Sequence, residues 1–534
     1  MNTETNVHDD LDKMLQRARR NTLGDLLART RDRMPEKLAL TYEGQRLNYA
    51  ELDNLVNQTA HAFLADGMKK GDMVTVMSKN SLDFVIANFS LARIGAVMIP
   101  INYMLSIEDV AYILEHADVS AFIASEEYAP VLDKSAGRLE IRQRYLMDTL
   151  GTYEGELSSW VSLSDARDGR SNDFVDADIA DDDLAHVLYT SGTESRPKGV
   201  MLSHKSLISE YVSSIVDGKM AAEDVAIHAL PLYHSAQLHV FLGPSIYVGS
   251  SGIILGAASP EVILQTIEEE GATQLFAPPT VWIALLRHPD FDKRNLSTLE
   301  KCYYGAAIMP REILKELAER LPNAKFWNFY GQTEVAPLAT ALQPEDQLRK
   351  LGSAGVATLN VQTKIVDDND KEVARGETGE IVHRTPHTMK GYLHDPDKTA
   401  EAFRGGWFHS GDLGVMDEEG YITIVDRKKD MINTGGVNVS SREVEETIYQ
   451  MDGVSEVAVV SIPDPYWIEA VTAVIVPKEG ASLTEDGVAE FCRERLSKFK
   501  VPKHVDFADE LPKNPSGKVL KRSLRDKYEE LGEK

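Results

Sequence analysis

Cysteine is nearly absent: 534 residues hold two, Cys302 and Cys492, far apart and without metal-ligand spacing. A disulfide framework is therefore not expected, a reducing compartment fits, and both thiols read as small buried hydrophobes. Positive charge is also short. Against 84 acidic side chains stand 57 Lys and Arg, a net charge of −27. That balance excludes nucleic acid or an anionic membrane as the main partner, because phosphate backbones need a basic footprint, while leaving room for a local basic pocket. Long apolar runs are missing as well. The least polar stretch, "VFLGPSIYVGSSGIILGA" (240–257), is broken by Gly, Ser and Pro and predicts buried helix, turn and strand rather than a membrane span. "MNTETNVHDDLDKML" has no charged-then-apolar signal pattern, so the expected location is cytoplasmic.

What is present is an ordinary globular composition, 43% hydrophobic and 26% charged, long enough for about three or four domain-sized units. From about residue 20 to 420, short apolar runs such as "DMVTVMSKN", "SAFIAS", "LAHVLYT" and "LEKCYYGAA" alternate with amphipathic segments such as "LDFVIANFSLARIG" and "PREILKELAERL". In the last, Pro310 suits a first helical turn, and Ile313, Leu314, Leu317 and Leu321 share a face. Strand–helix alternation predicts an α/β fold of largely parallel sheets covered by helices. After about residue 355 the texture turns to short hairpin-forming strands. Beyond "VDRKKD" (425–430) a compact helix–strand set follows, so a boundary is placed at Asp426: a large domain 1–425 and a small one 426–534.

One loop combines glycine, hydroxyls and a lysine. "YTSGTESRPKG" (189–199) follows an apolar strand and offers Thr190, Ser191, Gly192, Thr193 and Lys198 to a phosphate. It lacks the GxxxxGK[ST] spacing, so a P-loop NTPase is not indicated. Alone it is equally a polar connection.

Its company decides. The ordered set "YTSGTESRPKG", "YYGAAIMP", "YGQTE", "FHSGDLG", "YITIVDRKKDMINTGG" and "LPKNPSGKVLKRSLR" resembles the adenylate-forming superfamily, the acyl-CoA synthetases in particular, over nearly the whole chain. The family's usual Thr-Gly is Glu194-Ser195 here, and Glu194 is expected at the loop tip, facing solvent. The resemblance implies a large ATP- and acyl-binding domain with a small barrel-like part, and a small mobile α+β domain hinged at Asp426. It implies two half-reactions: a carboxylate attacks the α-phosphate of ATP, releasing pyrophosphate, and a thiol then displaces AMP.

Roles follow by position. Lys518 matches the lysine that bridges carboxylate and α-phosphate, and Gly517 lets its loop enter the site. Glu334 and Thr190 match groups on Mg²⁺ or the phosphates. Tyr330 and Thr333 line the nucleotide, with Gly305, Ala306 and Ala307 along adenine and the acyl carbonyl. Asp412 and Arg427 match the ribose contacts. The "NTGG" loop with Gly435 and Gly436 would replace Lys518 when the small domain turns, opening a thiol channel. Ser440 and Glu443 have capping-box spacing just after it.

The chain stops 16 residues after Lys518 without a carrier module, so free coenzyme A is the expected thiol. "RERLSKFKVPK" supplies Arg493, Arg495, Lys498, Lys500 and Lys503, either a CoA patch or a solvated helix face. A homodimer is one arrangement left open. His234 matches a position near the reacting carboxylate, as an orienting donor or, less readily, a base; His239 reads as packing. The acyl wall is expected from Tyr233, Ser235, Gln237, Phe276 and Trp282. Gly331 stands where acetate-selective relatives carry a tryptophan, so an open tunnel and a medium- or long-chain fatty acid are expected, with aryl or short thioether acids as alternatives. Hand-over to a carrier protein and an inactive nucleotide sensor are the competing functions.

Overall fold

The computed structural model describes residues 2–147, 159–190, 196–257, 259–305, 309–428, 430–434, 437–464, 466–513 and 519–528, with side chains from residue 11 onward. The expected strand–helix alternation holds. Strands Met73–Met77, Val97–Pro100, Ala121–Ser125, Leu184–Thr190 and Lys301–Gly305 fall in the apolar runs, and helices Leu82–Ile94 and Arg311–Arg320 lie between them. Pro310 is the N-cap of the latter helix, just outside its first turn, and Ile313, Leu314 and Leu317 are buried.

An eight-stranded sheet is parallel through Gln143–Met147, Ala121–Ser125, Met73–Met77, Val97–Pro100 and Leu184–Thr190. It turns antiparallel where Lys198–Ser203 folds back on Leu184–Thr190. A thirteen-stranded sheet is parallel from Leu38–Tyr42 through Ser251–Ile254, Val225–His228, Gln274–Phe276 and Lys301–Gly305 to Lys325–Gly331. The hairpin strands after residue 355 form its antiparallel end; the barrel-like part joins the sheet rather than standing apart.

Both faces of the parallel regions are covered, which is why their strands read as continuous apolar runs. Helix Leu82–Ile94 is buried at every residue, begun by Ser81, whose hydroxyl accepts from Phe84 N, and ended by Gly95 at φ 75°. Even its Arg93 is buried. The guanidinium donates to Asp53 and Asn57 at 2.7 Å and to the Gly24 carbonyl at 3.0 Å, so the charge is paired rather than left bare. The stretch 240–257 is π-helical turn, helix and strand, as expected, and among the described residues no helix is long and apolar enough to cross a membrane.

The third sheet gathers Ile432–Thr434, Val437–Val439, Val454–Asp464, Ile468–Pro477 and His504–Phe507 around its own core, including Val471, Ile475 and the buried Cys492. Asp426 is the penultimate residue of strand Ile422–Arg427, the last strand of the large sheet in chain order, and accepts from the backbone N and hydroxyl of Ser441, at 2.7 and 2.8 Å.

Candidate active site

The carboxyl ends of parallel strands are where α/β sheets leave a crevice for ligands. Gly305 and Gly331 end two adjacent strands, and Thr190 ends a strand of the other sheet. Thr190 pairs with Lys198 across the two antiparallel strands. Ser191, Gly192, Thr193, Glu194, Ala306, Ala307, Gly435, Gly436, Gly517 and Lys518 lie outside the described residues.

Three polar groupings meet around these strand ends. In the first, the Tyr330 hydroxyl donates to Asp412 Oδ2 at 2.7 Å, Gln332 Nε2 donates to the Tyr330 hydroxyl at 3.1 Å, and Arg427 Nε lies 3.5 Å from Asp412 Oδ1. Register explains the last contact, since Asp412 and Arg427 are direct cross-strand partners. Burial, and then the Asp412 charge, push the Tyr330 phenol well up, so it stays a donor.

In the second, Glu334 follows Thr333 in a 3₁₀ turn and accepts from the Tyr392 hydroxyl at 3.0 Å. Lys198 Nζ stands 5.1 Å from the centre of the same tyrosine ring. Burial raises the Glu334 carboxyl; the Tyr392 hydrogen bond and the Lys198 charge oppose that. Tyr392 was not foreseen: it sits in a two-residue strand paired to 200–201, a long-range placement without a local signal. A cleft of about 260 Å³, lined by His116, Arg196, Lys198, Tyr392 and Lys398 among others, opens beside this group.

In the third, the hydroxyls of Thr333 and Ser235 are 3.0 Å apart, and His234 Nδ1 accepts from Ala236 N at 3.2 Å. The Tyr233 hydroxyl and Gln332 Oε1 are buried without a hydrogen-bond partner among the described residues. His239 is packing, as expected: it is buried and stacked on His186 at 4.9 Å.

Two expectations are refined. Ser440 does cap helix Ser441–Tyr449, accepting from Glu443 N, but the Glu443 carboxylate takes Lys500 Nζ at 2.6 Å. The basic run is largely engaged locally: Arg493 pairs with Glu490, Arg495 with Glu494, Lys500 with Glu443, and Lys503 lies over Trp467. That arrangement fits the solvated face better than a CoA patch. Lys521 was missed: its Nζ reaches Ser441 Oγ and Glu445, both at 2.7 Å, tying the segment after residue 518 to the Asp426 junction.

As for Mg²⁺, the side chains gathered here offer two carboxylates, Glu334 and Asp412, and hydroxyls, and among the described residues no cluster of three or more His, Cys, Asp or Glu is ligand-like. A hard cation held mainly by phosphates and water needs no more.

The model of the AMP-binding enzyme family matches residues 27–393, and that of the AMP-binding enzyme C-terminal domain matches 443–518. A feruloyl-CoA synthase of an Amycolatopsis species is 35% identical over 511 residues, covering 96% of this chain and 100% of that protein. A long-chain-fatty-acid–CoA ligase of Escherichia coli O157:H7 is 32% identical over 537 residues, covering 95% of each. ATP-bound MatB from Rhodopseudomonas palustris superposes with a TM-score of 0.87 at 32% identity, covering 95% of this chain and 99% of that one.

Proposed function

Since the chain belongs to the AMP-binding enzyme family and is an AMP-forming acyl-CoA ligase using ATP and CoA, we propose the following division of labour among its residues. Asp412, oriented by Tyr330 and Arg427, takes the ribose hydroxyls; its carboxylate is the single observation that carries the reading. Lys198 neutralises charge on the phosphates, and the hydroxyls of Thr190, Ser191 and Thr193 donate hydrogen bonds to them. Glu334 and Thr190 would hold Mg²⁺, which supplies charge neutralisation to the phosphates when bound.

In the first half-reaction a carboxylate oxygen forms a bond to the α-phosphorus and the bond to pyrophosphate breaks. Lys518 steadies the charge shared between them. In the second, the CoA sulfur bonds to the acyl carbon, the mixed-anhydride C–O bond breaks, AMP leaves with that oxygen, and the thiol proton goes to solvent. Rotation about Asp426 would exchange Lys518 for the 433–436 loop between the two.

Two acid classes compete. The long-chain-fatty-acid–CoA ligases support the fatty acid expected from the sequence. The feruloyl-CoA synthases support an aryl acid, and that reading is preferred. AMP release from ATP, CoA and a panel of acids tests the assignment: release that needs both acid and CoA supports it, and pyrophosphate release indifferent to CoA sinks it in favour of a carrier-protein acceptor.

A further inference from the structure

The π-helical turn Ala236–Leu242 is capped by Ser235, whose hydroxyl meets that of Thr333 at 3.0 Å, and His234 stands just before it. Such turns are rare, and functional sites are over-represented among them. What holds this one lies on its buried side.

His239, in the middle of the turn, meets two partners at once. Its Nε2 lies 3.3 Å from His186 Nδ1, and its Nδ1 lies 3.4 Å from the Tyr211 hydroxyl. His186 Nε2 lies in turn 2.7 Å from Asn88 Oδ1. All four side chains are buried. They come from four elements: helix Leu82–Ile94, strand Leu184–Thr190, helix His204–Asp217 and the turn itself.

One acceptor sets every proton in this chain. A carboxamide oxygen only accepts, so His186 Nε2 carries a hydrogen and, in a neutral ring, its Nδ1 is bare. That nitrogen accepts from His239 Nε2–H, which leaves His239 Nδ1 bare to accept from the Tyr211 hydroxyl. Burial keeps both imidazoles neutral and the phenol protonated, as the chain requires. Tyr211 is itself pinned: a Cβ on Gly243, which closes the turn, would lie 2.2 Å from its Cζ.

The His239–His186 bond ties together two parts of the site. The strand of His186 runs on to Thr190, on the side proposed for the phosphates. The turn of His239 runs back to Ser235 and His234, on the side proposed for the acid. The first half-reaction needs a carboxylate oxygen aligned on the α-phosphorus across that gap.

We infer that His239 is a positioning residue for the first half-reaction, holding the His234–Ser235 segment in place against the Thr190 strand through the hydrogen-bond chain Tyr211–His239–His186–Asn88. The inference rests on the acid–CoA ligase reading above and goes beyond it.

Two measurements on the full chain test it. In wild type labelled with ¹⁵N-histidine, at neutral pH, long-range ¹H–¹⁵N spectra should show His186 and His239 as neutral rings protonated at Nε2, each assigned by its loss in the His186→Gln or His239→Phe variant. An Nδ1–H or charged ring at either position overturns the chain. In the second, His239→Phe keeps a ring and removes both nitrogens. Acid-dependent ATP–pyrophosphate exchange should fall about 10- to 100-fold in kcat, the cost of misaligned reacting atoms, with the ATP KM within a few-fold of wild type. Thioester formation from supplied acyl-adenylate should stay within a few-fold, because its acyl–phosphate bond is already made. His239→Gln, whose amide N–H still serves His186, should recover most of the lost rate. Unchanged exchange in folded His239→Phe, or equal losses in both half-reactions, overturns the positioning role and leaves a packing residue. Should the phenylalanine variant not fold, Tyr211→Phe takes its place, with a smaller loss confined to the exchange reaction. Absence of AMP release by wild type with ATP, CoA and every acid overturns the ligase reading itself, whatever the tautomers.

Discussion

The Tyr330 hydroxyl donates to Asp412 Oδ2 at 2.7 Å, joining the last parallel strand of the large sheet to its antiparallel end. Asp412 also lies 3.5 Å from Arg427 Nε, so one carboxylate is held by a phenol and a guanidinium; the role proposed for it is to take the ribose hydroxyls. Asp412→Asn keeps the shape and removes the charge. Charge-assisted hydrogen bonds of about 1.5–3 kcal/mol are lost, so the ATP KM should rise about 10- to 100-fold. Tyr330→Phe should give a smaller rise, about tenfold, with unchanged KM for the acid. Steady-state kinetics with ATP varied measures both; an unchanged ATP KM in the asparagine variant would remove Asp412 from the nucleotide site.

Lys518 is assigned to the first half-reaction alone. Lys518→Ala should slow acid-dependent ATP–pyrophosphate exchange by about 100-fold or more, the usual cost of one electrostatic stabiliser. Thioester formation from chemically supplied acyl-adenylate and CoA should stay within a few-fold of wild type. Equal losses in both assays would contradict the exchange of Lys518 for the 433–436 loop.

Much of this was legible in the sequence because it is local. The strands around Thr190 and Gly305 and the helix after Ser81 are written in apolar runs, caps and glycines. The six ordered motifs placed Asp412, Arg427, Glu334 and Thr333 near one another, and the fold brings Asp412 to Arg427 by simple register. What was not legible is long-range. Tyr392 reaches Glu334 from 58 residues away, and Lys521 reaches Ser441 from 80. The tightness at Gly331 is also long-range: a Cβ there would lie 1.8 Å from the Pro337 carbonyl, which the sequence alone does not show. The cross-strand rows that stack Phe276, Tyr303 and Phe329 exist only once register is known.

Stability should be acid-sensitive through histidine. Burial lowers His186, His228 and His383 from the ordinary 6.5 to about 3, and His204 and His387 to about 4; His239 is lowered well below its ordinary value. Below 6.5 the unfolded chain binds protons that the folded chain refuses, so stability is full above that value and falls as pH drops towards 3. Glu210, Glu334 and Glu445 act in the opposite sense, because burial raises them above 4.5. They are outnumbered. Each net proton is worth about 1.4 kcal/mol per pH unit, so urea midpoints should drop steeply between pH 6 and pH 5. A flat midpoint across that interval would show that these imidazoles are charged in the folded protein.

The oxygen that moves tests the central claim most directly. With the best acid of the panel labelled with ¹⁸O in its carboxylate, ATP and CoA, the AMP released should carry one ¹⁸O per molecule, because the carboxylate oxygen that attacked the α-phosphorus leaves with it. Unlabelled AMP, or ADP and phosphate in its place, would contradict an acyl-adenylate and with it the roles given to Asp412, Glu334 and Lys518.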